Sequence, residues 1–138
     1  MRLEGVDLFT REYFVDPASA AFNAGCGLKR VAGKVSVSGE GEEIIGIARE
    51  DWTSTPVLPY PWPVGNAVAV QLWGIGSMIA NEALVVEDEV ISAAGGRFRK
   101  YLAADKTAGK RAAGKVEPQK DTAPIIAGTY FLVRLYGL

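Results

Sequence analysis

Thr129-Tyr130-Phe131-Leu132-Val133-Arg134-Leu135-Tyr136 is the stretch that decides the fold. Aromatic and β-branched residues dominate it and its side chains alternate, so Phe131, Val133 and Leu135 share one face while Tyr130, Leu132 and Tyr136 share the other. Such a segment is a strand that pins this end of the chain in a sheet. Further back, Val68, Val70 and Leu72 alternate with Ala67, Ala69, Gln71 and Trp73, and Val35 and Val37 alternate with Ser36 and Ser38. Both patterns have the period of a half-buried strand. Shorter candidates fall at 27–31, 44–48, 84–86, 89–92 and 98–102, each bounded by glycine or charged turns. With no long amphipathic helix between them, the strands predict an all-β chain, a small barrel or sandwich spanning 25–138 as one domain.

Three segments depart from the pattern. Residues 1–24 alternate little yet carry Leu8, Phe9, Tyr13, Phe14 and Phe22, which suits an extended N-terminal arm. Such an arm either folds onto its own barrel or lies across another subunit. Within it, Asp16 followed by Pro17 is a cap and first position for one short helical turn. Residues 53–63 hold four of the seven prolines and form a stiff loop. Its Trp52, Tyr60 and Trp62 either make a contact surface or cap the open end of the barrel. Residues 103–118 are rich in Ala, Gly and Lys, fitting a long loop or a short helix.

The chain has 138 residues, 49 % hydrophobic and 22 % charged, values for one packed domain with a radius of gyration of about 14 Å. Histidine is absent, which removes imidazole bases, Ser-His-Asp and Cys-His triads and histidine-ligated metals. Cys26 is the only cysteine, so one chain holds neither an internal disulfide nor a thiolate metal cage, and the residue reads as a small buried apolar group. No apolar run reaches membrane-spanning length and no signal-peptide core follows the acidic opening, so a soluble, unsecreted protein without membrane partners is expected.

Charge is uneven. From Arg97 to Lys120 eight basic residues stand against Asp105 and Glu117, a balance of +6, which leaves −7 elsewhere for the net charge of −1. A basic segment on an acidic body is placed to meet an acidic partner, another copy or nucleic acid, or it is simply a solvated loop.

Several motifs fail on inspection. Gly109-Lys-Arg-Ala-Ala-Gly114-Lys115 matches seven positions of a phosphate-binding loop, but Val116 stands where a hydroxyl must hold magnesium and Pro118 interrupts the helix. Gly39-Glu40-Gly41-Glu42-Glu43 would put three carboxylates beside a pyrophosphate and reads as a hairpin turn. Glu87-Asp88-Glu89 lacks calcium-loop spacing and reads as a turn, although its carboxylates are the one candidate acid/base pair. No Ser-x-x-Lys or Gly-x-Ser-x-Gly pattern occurs, so no catalytic group, cofactor or metal is expected. Arg97-Phe98-Arg99-Lys100-Tyr101, with Lys110 and Arg111, interleaves cations and aromatics as a single-strand nucleic-acid groove would. Strand alternation splits them over two faces, and a pI near 5.5 weighs against that alternative.

The succession Ile45-Gly46-Ile47-Ala48, then 65–74, then Val86-Glu87-Asp88-Glu89-Val90-Ile91-Ser92-Ala93, then 112–116, then 127–135 resembles tailed-phage head decoration (capsid cement) proteins. Glu87-Asp88-Glu89-Val90 replaces the family's usual Gly-Asp turn, and the Pro-Trp stretch is an unusual insertion. The resemblance implies a small β-barrel or β-tulip that binds the exterior of a mature shell, commonly as a trimer, with the major capsid protein as partner and host cytoplasm as the site of assembly. Leu8, Phe9, Tyr13, Phe14, Trp52, Tyr60 and Trp62 are then candidate contacts to copies or shell. Arg97, Arg99, Lys100, Lys110 and Arg111 are candidates for an acidic capsid patch.

Overall fold

A computed structural model describes residues 10–49, 67–119 and 123–137. Strands β1 (Thr10–Phe14), β2 (Gly27–Val31), β3 (Lys34–Val37), β4 (Gly46–Ala48) and β5 (Ala67–Gln71) form one sheet in the order β1-β5-β4-β2-β3. Strands β6 (Gly74–Ile79), β7 (Glu89–Ser92), β8 (Phe98–Lys100), β9 (Gly114–Val116) and β10 (Tyr130–Leu135) form a second in the order β6-β10-β9-β7-β8. All ladders are antiparallel. A short helix, α1 (Ala103–Thr107), follows β8.

The two halves repeat one topology. In each, the first strand lies beside the fifth, the fourth comes next, and the hairpin of second and third strands completes the sheet. Details repeat as well. Each sheet rolls until its edge strands touch at one parallel bridge, Val15 with Val35 in the first and Ala80 with Phe98 in the second. The fourth strand begins at Gly46 in one half and Gly114 in the other, each opposite the fifth strand's backbone. Gly25, at φ +92°, donates its N–H to Ala48 O at 2.8 Å, and Glu87, at φ +80°, donates to Val116 O at 3.0 Å. Each half ends alike, in Val70-Gln71-Leu72-Trp73-Gly74 and Val133-Arg134-Leu135-Tyr136-Gly137.

The all-β reading therefore holds, but the two sheets do not close into a barrel. One bridge at each seam is too little for a closed ladder. Strands at 27–31 and 89–92 lie where their bounding glycine and charged turns place them, and Phe131, Val133 and Leu135 are buried as expected. Three strands were not expected. β1 carries charges along an exposed strand, β6 is diluted by Gly74 and Gly76, and β9 has only three residues. The expected strand at 84–86 is reduced to a bridge from Leu84 to Ile125, and those at 44–48 and 98–102 contract to β4 and β8.

The 39–43 turn is not a hairpin. β3 and β4 both flank β2, so the turn carries the chain across from one side to the other, and Gly41 N–H docks it on Ser92 O at 2.8 Å. Between β2 and β3, Ala32 and Gly33 at φ +49° and +81° make the two-residue turn that suits strand twist. Asp16 makes a single turn, accepting from Ala18 N–H at 3.3 Å, and no helix follows among residues 17–24.

Each half has its own core, and side chains from each enter the other's. Ile47 of β4 packs with Met78, Phe98, Phe131 and Val133, while Ile79 of β6 packs with the cluster of Val15, Phe22, Leu28 and Val70. Buried Gln71 donates to Ile75 O at 2.9 Å and Trp73 O at 3.2 Å, fixing the corner that joins the halves. Ser38 and Ser92 share a buried hydroxyl contact of 2.6 Å across the same junction. Cys26 is buried, and that burial pushes its thiol pKa up.

Candidate functional site

The densest polar cluster joins the 39–43 turn of the first half to β8 and α1 of the second. Arg99 forks onto Asp105 with bonds of 2.8 and 3.0 Å and also reaches Glu40. Lys110 Nζ donates to Gly41 O at 2.6 Å, and Arg111 N–H donates to Glu43 Oε2 at 2.9 Å. Asp105 also accepts from Leu102 N–H at 2.8 Å, capping α1. The Arg99 guanidinium, then this backbone N–H, hold the Asp105 carboxyl down at about 2, and the same pairing raises Arg99. Every group in this cluster is occupied by structural partners, so its chemistry is that of a clamp.

The sign of its pH dependence follows. A depressed carboxyl stabilises the fold at pH values above its unfolded pKa, near 4, and that contribution is lost as pH falls through about 2. Asp105→Asn is expected to cost about 2 kcal/mol at neutral pH, the scale of hydrogen bonds to a charged group. Urea titrations from pH 7 to pH 2 should show a smaller acid-induced loss in the variant than in the parent.

Other basic residues have partners nearby. Lys29 pairs with both Glu42 oxygens at 2.9 and 3.0 Å, which lowers the Glu42 pKa. Arg134 meets Glu117 at 3.3 Å, and Lys115 meets Glu87 at 3.7 Å. Arg97 and Lys100 are exposed, but Phe98 between them is fully buried and the Tyr101 hydroxyl donates to Lys110 O. The 97–101 run thus offers no aromatic platform for stacking bases, and much of the basic segment faces acids of its own chain.

The remaining candidates separate. Tyr13 is half-buried against the first core, with Arg30 over its ring at 5.8 Å, whereas Phe14 is 56 % exposed. Leu8, Phe9, Trp52, Tyr60 and Trp62 lie outside the described residues. The 87–89 carboxylates form a turn in which Asp88 accepts from Val85 N–H at 2.9 Å. Glu89 accepts from the Tyr136 hydroxyl at 2.7 Å, and burial, then this carboxylate, push that hydroxyl up to about 12.

Sequence reasoning also missed exposed apolar residues. Trp73, Ile75, Val85, Val86, Leu102, Ile126, Tyr130 and Tyr136 join Phe14 at the surface. The signal for Trp73 and Tyr136 was available in their matching Leu-aromatic-Gly contexts. Among the described residues, the groove where the halves meet is lined by Arg49, Gln71, Ile75, Ser77 and Tyr130 and by no carboxylate. Among the described residues no three Cys, Asp or Glu side chains converge to hold a metal, and no helix is long and apolar enough to cross a membrane. Exposed large apolar side chains are a common feature of protein contact surfaces.

The fold resembles the base of a phage head fiber. The crystal structure of the N base of head fiber gp8.5 from bacteriophage phi29 matches 91 % of this chain and 93 % of its own, with a TM-score of 0.59 and 12 % identical residues. Coverage of that extent takes in both sheets, so the similarity to the fiber base is one of the whole arrangement. No family model matches the sequence, and no curated protein is a detectable sequence relative.

Proposed function

We propose that this chain is a non-catalytic structural protein of a phage virion, which binds the capsid exterior as a homotrimer and stabilises the mature shell. The observation that carries the proposal is the match of both sheets to a phage head-fiber base, made by a chain whose described polar clusters are occupied internally. The order of glycine-bounded strands, similar to that of head decoration proteins, supports the same reading independently. A protein that binds only the assembled, expanded shell stabilises it by mass action and needs no reactive group. The major capsid protein is the proposed partner, and Trp52, Tyr60 and Trp62 are the proposed contacts to it.

Adding purified protein to undecorated, expanded heads tests this. Saturable binding at defined lattice sites, with a rise in shell melting temperature, is the expected result. Absence of saturable binding, or binding that vanishes with moderate salt as phosphate contacts do, would overturn it.

A further inference from the structure

We propose that two copies of this chain join head to tail, the Phe14 face of one docking on the Val85–Val86 turn of the next. The structural repeat carries the argument, because the chain already contains one such contact between its own halves.

In the covered contact, the second half presents the end of β6 and the start of β10 to the first half. Ile79 is buried in the first half's core, and the Tyr130 hydroxyl donates to Ala24 O at 2.9 Å. The surface that receives them is the turn Asn23-Ala24-Gly25 before β2. A Cβ at Gly25 would stand 2.7 Å from the Tyr130 ring and 3.3 Å from Ser77 O, so the approach is close.

Each participant has a counterpart in the other half. Tyr130 pairs with Ile79 across β10 and β6, as Ala67 pairs with Phe14 across β5 and β1. Phe14 therefore occupies the position of Ile79. On the receiving side, Cys26 N–H bonds to Asn23 O at 3.2 Å and Asp88 N–H bonds to Val85 O at 3.1 Å, while Gly25 and Glu87 share the left-handed conformation. The turn Val85-Val86-Glu87 therefore occupies the position of Asn23-Ala24-Gly25.

Exposure is what distinguishes the two sets. Ile79 is 5 % exposed but Phe14 is 56 % exposed, and Val85 and Val86 are 64 % and 42 % exposed. A large apolar side chain thus projects at each of the two positions that the repeat leaves open. Charge is neutral to the apposition. Glu12 lies on the Phe14 face, and Lys115 and Arg134, which stand where Ile47 and Gln71 line the covered contact, are already paired with Glu87 and Glu117.

The contact is heterologous, since two different faces meet, and it closes a ring or propagates a filament according to its rotation. It rests on the oligomer reading above only in requiring that copies associate. It does not depend on capsid binding.

Sedimentation of the full chain, Phe14→Asp and Val86→Asp is the first measurement, with each variant's melting curve confirming that it folds. Association is expected to weaken about 30-fold or more in both, the scale of a central hot spot. The second measurement mixes Phe14→Cys chains with Val86→Cys chains under mild oxidation, leaving Cys26 buried. A disulfide-linked dimer in the mixture, absent from either variant alone, supports the proposal. An oligomer that survives both aspartates without a mixed cross-link overturns it while the oligomer reading stands. A monomer at every concentration overturns both. Loss of head binding in Phe14→Asp with an intact oligomer assigns the face to the shell and also overturns it.

Discussion

Gly46→Ala and Gly114→Ala are each expected to destabilise the fold by about 3 kcal/mol, the upper range for a forced contact in a packed interior. The two glycines start the fourth strand of their respective sheets, and a Cβ on either would run into fifth-strand backbone, Gln71 O in one half and Arg134 O in the other. Backbone carbonyls in a ladder cannot rotate aside, so relief requires β4 and β5, or β9 and β10, to separate. The valines behind them, Val70 and Val133, are both fully buried and block retreat toward the core. Melting curves should fall by roughly 10 °C for each substitution. Gly128→Ala provides the contrast. It has φ +86° but no atom within 4 Å of a new Cβ, so only left-handed strain of about 1 kcal/mol applies. Equal losses at all three positions would show that glycine is needed for its dihedral freedom and that close strand approach is irrelevant.

Those same glycines explain how much of the architecture could be read from residues alone. Alternation exposed β10, β5 and β3, because one face of each meets apolar neighbours and the other does not. It failed at β6 and β9, where a glycine stands for the inward side chain and the pattern loses its apolar half. The repeat left a legible trace in Val-x-Leu-aromatic-Gly at 70–74 and 133–137, yet five residues in two copies are too few to stand out without the registers that align them. For the surface, charge counting located the basic segment but not its destination. Arg99 and Asp105 are six residues apart, whereas the Glu40–Glu43 turn is brought to them only by the crossing between β3 and β4. Exposure of Phe14 was equally unreadable, since Tyr13 beside it is equally aromatic and turns inward. Only the side of the strand on which each residue falls distinguishes them.

Phe98→Ala is expected to cost about 3 to 5 kcal/mol, the range for an aromatic side chain removed from a core that cannot collapse. Phe98 has no exposed surface and belongs to the second half's core, yet its ring tip comes within 2.8 Å of where a Cβ on Gly27 of β2 would lie. It also forms the parallel bridge with Ala80 that brings the edges of the second sheet together. One side chain thus fills a core, supports a seam and abuts the opposite half. Gly27→Ala alone should destabilise by about 2 kcal/mol through the same approach, with Ser38 Oγ at 2.7 Å adding to the conflict. In the Phe98→Ala background part of that obstacle is gone, so the double variant should be more stable than the sum predicts by roughly 1 kcal/mol. Denaturant titration of the four proteins measures the coupling directly. Strict additivity would mean that the halves touch here without sharing energy. Coupling together with a single transition would mean that both sheets fold as one rigid body.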